Sequence, residues 1–371
     1  MSSGRDRQRA PRRPRTAGLA ISALVACGGA ARPPPVPEDA GTTRIAPPVA
    51  LSVAPAPTVT HPGPQLVVMD EPRIDLPAQE SFRLLDAGKG ARAALRYTPA
   101  TGTTAFTAEA QLASRHLEHG AFTAKAALPV IRDGFAITVA ADRPGTLALR
   151  ALTGEATTPG PDTDAYLAPW RTLLQNRRIT LALDGRGAFT APRFNDDPTG
   201  VRSARAKDEL VQRLLSWIVP LPAEPVAAGA RWRVVTILRQ GPAAAKQTAT
   251  YTLISRGPAG WKVHVKLVRV GQDQRLTDPS LPSGTTAELI ALFRALEGDV
   301  EVDPRHPLIT GGALEVESRM HVKLQDPGQP ATEQIIEDTG SVRFAWCRPV
   351  TAAGSGSPAA ASGDCPDGFS R

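Results

Sequence analysis

Trp261-Lys262-Val263-His264-Val265-Lys266-Leu267 alternates apolar and polar side chains without a break. Successive strand residues point to opposite faces, so this pattern gives one dry face and one wet face. Such a strand belongs in an antiparallel sheet with one solvated side. The same pattern returns further on, where Leu314, Val316, Met320, Val322 and Leu324 share one face and Glu315, Glu317, Arg319, His321 and Lys323 the other. Weaker strands are expected over residues 104–113, 121–129, 134–141, 146–151, 178–183, 232–239, 249–255 and 332–346. Asp184-Gly185 and Asp133-Gly134 read as tight turns between strands.

Helices are expected to interrupt this sheet. Over residues 203–219, Leu210, Val211, Leu214, Leu215 and Ile218 fall at helical spacing, and Pro220 and Pro222 stop the run. Over residues 285–296, Thr285 and Glu288 have capping-box spacing. Leu289, Ile290, Phe293 and Leu296 supply an apolar stripe there, and Gly298 ends it. A short third helix is expected around 164–175, with Leu167, Trp170 and Leu174 on one face. The expected fold class is α+β, mainly antiparallel β: a curved sheet or half-barrel packed on two or three amphipathic helices. Hydrophobic residues make up 42% of the chain, enough for a packed core although aromatics are only 5%.

The N-terminus reads as an address. Arg5, Arg7, Arg9, Arg12, Arg13 and Arg15 form a basic leader, followed by an almost wholly apolar run from Ala17 to Ala26. That run is far short of the ~20 residues that cross a bilayer, and it fits the apolar region of a signal peptide. Leu24-Val25-Ala26-Cys27 then resembles the lipobox of secreted bacterial lipoproteins. The resemblance implies cleavage before Cys27, acylation of its thiol and attachment to a membrane. Gly28 stands where an aspartate would resemble an inner-membrane retention signal, so outer-membrane attachment is expected in a cell with two membranes. Residues 1–26 hold six arginines and one acid, +5 of the formal +7, which leaves +2 for the processed chain. The basicity therefore belongs to the leader, and a nucleic-acid partner is not expected.

Ten prolines between Pro33 and Pro64 make residues 27–65 an extended tether that cannot join a core. Residues 66–350 are read as a β-rich envelope domain and 351–371 as a loose tail. An exported chain meets an oxidising compartment, so Cys347 and Cys365 are expected to form a disulfide; two unpaired thiols are the alternative.

Catalytic motifs are missing. His116 and His119 are three apart, which on a strand points them to opposite faces; they also lack the spacing of a helical zinc motif. His264 and His321 fall on wet strand faces, and His61 lies in the tether. Gly88-Lys89-Gly90 lacks the rest of a phosphate-binding loop, and Gly185-Arg186-Gly187 reads as a hairpin turn. Asp196, Asp197 and Glu224 are read as solvated loop acids. No catalytic residue, metal ligand or cofactor is assigned.

The most distinctive internal segment is residues 221–232. Pro222 and Pro225 block helix continuation, Val226 follows, Gly229 permits a sharp turn, and Trp232 enters a strand facing the core. This resembles a P-x-x-P-V-x-x-G-x-x-W pattern of bacterial lipoproteins of about this size, a group with no established activity; the likeness runs from Leu181 to Leu324. The layout is also similar to the half-barrel of lipoprotein-carrier and lipid-binding envelope proteins, a likeness at the level of fold alone. Three readings follow: a non-catalytic envelope protein that binds an apolar ligand or a partner protein; a structural or interaction lipoprotein with a solid core; and, more weakly, a hydrolase with a site assembled from distant residues.

Overall fold

The computed structural model describes residues 81–118, 121–143, 145–156, 178–189, 193–194, 210, 212–240, 243–276, 284–349 and 369–370. The leader, Cys27, the tether and the third expected helix lie outside them.

The described residues build an antiparallel sheet. Its strands are β1 (Ser81–Asp86), β2 (Gly102–Glu118), β3 (Ala121–Phe122), β4 (Ala126–Ala127), β5 (Ile131–Val139), β6 (Thr146–Ala156), β7 (Arg178–Ala182), β8 (Arg193–Phe194), β9 (Arg231–Gln240), β10 (Ala243–Gly257), β11 (Gly260–Leu276), β12 (Thr286–Val302), β13 (Gly311–Gln325), β14 (Thr332–Pro349) and β15 (Phe369–Ser370). Along the sheet the order is β1-β9-β10-β11-β12-β13-β14-β2-β5-β6-β7-β8, and the sheet is open, ending at β1 and β8. β9 to β14 form one meander and β5 to β8 another. The seam between them is β14 against β2, paired from Ile336↔His116 to Cys347↔Ala105.

The alternating segments behave as their pattern requires. On β11, Trp261, Val263, Val265 and Leu267 are buried; on β13, Leu314, Val316, Met320 and Val322 are buried. The opposite face of β11 and β12 carries Lys262, His264, Lys266, Glu297 and Asp299, joined by ion pairs.

Two sequence expectations are corrected. The segment 285–296 is not a helix; it is the first two-thirds of β12. Its inward face holds Ala287 and Leu289, then a bulge, then Leu292, Arg294, Leu296, Gly298, Val300 and Val302. The bulge adds one residue, Arg294 interrupts the apolar series, and Gly298 is small because a Cβ there would sit 2.3 Å from Ala313 O. Of the expected apolar stripe, Leu289 and Leu296 face inward, Ile290 lies at the bulge and Phe293 faces outward, so the helical spacing combines residues from both faces of an extended strand. Asp133-Gly134 is not a turn either: both lie inside β5, paired with Ala108 and Thr107.

Of the segment 203–219, residues 210 and 212–217 are described as helical. Leu210, Leu214, Trp217 and Ile218 are buried in the main core. Trp217 packs on Phe106 and Phe135 at ring-centroid distances of 5.0 and 5.7 Å. Arg213 is ion-paired to Asp133 of β5. The helical part described is thus one short piece on the inward face, not two or three packed helices.

Residues 221–232 tie the N-terminal part of the domain to the β9–β10 edge. Arg96 donates to Pro222 O and Ala223 O at 2.9 Å each. Ala93 and Val226 exchange two backbone hydrogen bonds of 3.0 Å, and Lys89 N donates to Ala228 O. Gly229 takes φ +81°, a region that favours glycine, and its N–H donates to Leu253 O at 2.7 Å. Trp232 is fully buried. It stacks on Tyr251 at 5.7 Å and donates its indole N–H to Pro220 O at 2.7 Å. Pro225 is exposed. Pro222, Val226, Gly229 and Trp232 thus make contacts within the fold, and Pro225 takes part in none of these.

Candidate functional site: a buried polar row across the sheet

The inward face carries two apolar clusters. The larger contains the aromatic residues and the helical piece. The smaller consists of Ala243, Ala245, Leu276, Ala287, Leu289, Leu292, Met320 and Val322. Between them one register of the sheet is polar on seven neighbouring strands: Thr236, Gln247, Arg269, Arg294, Ser318, Asp338 and Ser114. Each is the direct cross-strand partner of the next.

At one end this row is well satisfied. Arg269 donates from Nε to Gln247 Oε1 at 2.7 Å. Its other guanidinium nitrogens reach Ser216 Oγ at 2.9 Å, and Gln212 Oε1 and Gln212 O at 3.4 Å. These bonds join the helical piece to β11. All of Arg269's acceptors are neutral. Burial, and secondarily the Arg294 charge beside it, depress the Arg269 pKa to about 9. An arginine still carries its charge at neutral pH under such a shift, and none of its hydrogen-bond acceptors among the described residues is an acid.

At the other end the row is incomplete. Arg294 Nε, Asp338 Oδ1 and Ser114 Oγ are buried without a well-formed hydrogen bond, although the Ser114 hydroxyl directly across from Asp338 and the Arg294 charge both favour the Asp338 carboxylate. Ser318 Oγ donates to the other carboxylate oxygen of Asp338 at 3.2 Å. Asp338 is 1% exposed, and burial pushes its carboxyl above the usual range. A buried polar atom without a partner costs about 1–3 kcal/mol, and native proteins keep few of them. Three such atoms stand in one row, on three strands. The row offers guanidinium, carboxyl and hydroxyl groups in a largely buried setting.

Alternation could have revealed this row. In β13 the inward series runs Leu314, Val316, Ser318, Met320, Val322, and in β11 it runs Trp261, Val263, Val265, Leu267, Arg269. A polar residue at an inward position in both strands is the signal; that the breaks share one register is knowable only from pairing.

The residues singled out in the sequence lie elsewhere. His264 faces outward, its Nδ1 2.9 Å from Asp299 Oδ1, and His321 lies 3.2 Å from Glu333. His116 falls at the next inward position after Ser114, and His119 is outside the described residues. Among the described residues no three His, Cys, Asp or Glu side chains converge as a metal site would require. Cys347 is fully buried and disulfide-bonded. Cys365, its expected partner, is outside the described residues, and β15 pairs with the end of β14 at Arg348 and Pro349. Asp196 and Asp197 are also outside; Glu224 is exposed. No helix of the described residues is long and apolar enough to cross a membrane. Comparison with protein-family models, with curated proteins and with solved structures gave no match.

Proposed function

We propose that this chain is a lipid-anchored protein of the bacterial cell envelope whose β-rich domain binds a ligand with an apolar part on the inward face of its sheet, without catalysis. The anchor rests on the basic leader, the short apolar run and Cys27. The tether of residues 27–65 would hold the domain off the membrane at ~3.1 Å per residue of extended chain. Attachment to the outer membrane is part of the reading, and a Cys347–Cys365 disulfide would fasten the tail.

The binding role is supported by one observation: the polar row with its three orphaned atoms lies between two apolar clusters on a continuous buried face. A half-barrel that carries lipid would need an interior of this kind, apolar with a polar band. Native mass spectrometry of residues 27–371 carrying Cys27→Ser, produced in an oxidising compartment and then extracted with organic solvent, tests it. A defined co-purifying amphiphile is the expected result; a clean apo mass would leave the orphaned atoms to water and sink the reading. Cys27→Ser in the full chain should abolish acyl labelling in cells, and persistent labelling would remove the anchor.

A second reading, an interaction lipoprotein with a solid core, is favoured by the main cluster. Trp217 fills the space between Phe106 and Phe135 there, so that part of the interior is packed. Under this reading the ion-paired outer face of β11 and β12 would be the surface that a partner meets.

A further inference from the structure

We propose that Arg269 and Arg294 together hold the anionic head group of an amphipathic ligand, and that its apolar chain lies along the smaller cluster around Ala243, Ala287 and Leu289; this rests on the binding role proposed above.

Arg269 and Arg294 are direct cross-strand partners, and their like charges disfavour each other; Arg269 is buried and Arg294 half-buried. The row offers the pair one acid, Asp338, whose carboxylate the Arg294 charge favours. Arg269 is bonded only to amide, carbonyl and hydroxyl oxygens. The carboxylate of the row, Asp338, stands two strands beyond Arg294 and is engaged by the intervening Ser318. Arg294 Nε is buried and unpaired. A carboxylate or phosphate between the two forks would accept hydrogen bonds from both, which is the geometry arginine is suited to. It would also remove the like-charge repulsion and one orphaned donor at a stroke.

The neighbouring positions say why the anion carries a chain. One step beyond the row, toward the smaller cluster, the inward residues are Ala245, Gly271, Leu292 and Met320. Farther along come Ala243, Leu289 and Val322. Three of the eight residues in that cluster are alanine. A free inorganic anion would make no use of that apolar cluster.

The test uses residues 27–371 with Cys27→Ser, which has no acyl group of its own to compete. The probes are dansylundecanoic acid, its methyl ester and inorganic phosphate. The carboxylate should bind at least about tenfold tighter than the ester. Arg294→Met should bring the carboxylate down to the ester's affinity while leaving the ester unchanged, and Arg294→Lys should keep part of the preference. Equal binding of acid and ester to the unmutated chain would overturn the head-group assignment while sparing the apolar-ligand reading. Displacement of the acid by phosphate at matching affinity would also overturn it, in favour of a free anion. Failure of the binding role itself looks different: neither dansyl probe binds, and the chain purifies free of lipid. Should Arg294→Met not fold, the acid-to-ester ratio of the unmutated chain decides alone.

Discussion

The two arginines of the polar row predict opposite effects from the same substitution. Arg269→Met deletes a guanidinium with four hydrogen-bond contacts and leaves Gln247 Oε1, Gln212 Oε1 and Ser216 Oγ facing a thioether. Removing one partner from a buried charged network costs about 3–5 kcal/mol, and the same change unfastens the helical piece from β11. Arg294→Met leaves no acceptor behind, because Arg294 Nε has none. It removes an unsatisfied donor that costs about 1–3 kcal/mol. It also removes a like charge whose repulsion of Arg269, at a cross-strand spacing of ~5 Å and an effective dielectric of ~20, is at most about 3 kcal/mol. Methionine follows much of the arginine stem, so little packing is lost. A gain of about 1–3 kcal/mol is expected for Arg294→Met. Urea denaturation at pH 7 measures both, with the midpoint moving and the slope unchanged. A loss above about 1 kcal/mol for Arg294→Met would refute the reasoning, since it would mean that the attraction between Arg294 and Asp338 outweighs the unpaired donor and the like charge. A gain in stability with a loss of binding would be the trade expected of a functional site.

Trp217→Ala should cost about 3–5 kcal/mol in the same assay, because Trp217 is 5% exposed and touches two buried phenylalanines; a cost under about 1 kcal/mol would mean that the helical piece is not part of the folded core. Asp338→Asn should raise the melting temperature at pH 7. Burial raises the Asp338 carboxyl in the folded state, so its contribution is intact below the unfolded value of about 4 and is lost as pH rises through the folded value. The advantage of the variant should therefore fade as pH approaches 4, and a constant difference across that range would contradict the assignment. Gly88→Ala should destabilise more than Gly90→Ala by thermal denaturation. Both glycines have positive φ, but a Cβ at Gly88 meets Ala227 O at 2.5 Å whereas one at Gly90 meets nothing within 4 Å. Equal effects would show that the contact of residues 86–93 with residues 226–230 is dispensable.

How far the sequence discloses this molecule depends on which residues interrupt its patterns. β11 and β13 are legible because their inward positions are apolar over most of their length, and the residues 221–232 are legible because prolines, a glycine with positive φ and a buried tryptophan each have a local reason to stand where they do. β12 is misread for another reason. Its outward face is apolar too, with Phe293 and Ala295, and the bulge between Leu289 and Ala291 shifts the phase, so no apolar–polar alternation shows. Arg294, the one polar residue between Leu289 and Leu296, faces inward and leaves a buried donor unpaired. Asp133-Gly134 mimics a turn because an acid stands mid-strand, and that acid is there to pair with Arg213 from the helical piece. Ser318 was the weakest signal, a single polar residue on an otherwise apolar face, and its place in a row of seven depends on registers between strands up to some two hundred residues apart, such as Ser114 with Asp338. Local pattern reading succeeds where burial alone selects the residue. It fails on β12, where both faces are apolar, and on β5, where an acid faces the interior; the charged inward positions, costly to keep unless they do something, are where the substitutions above should begin.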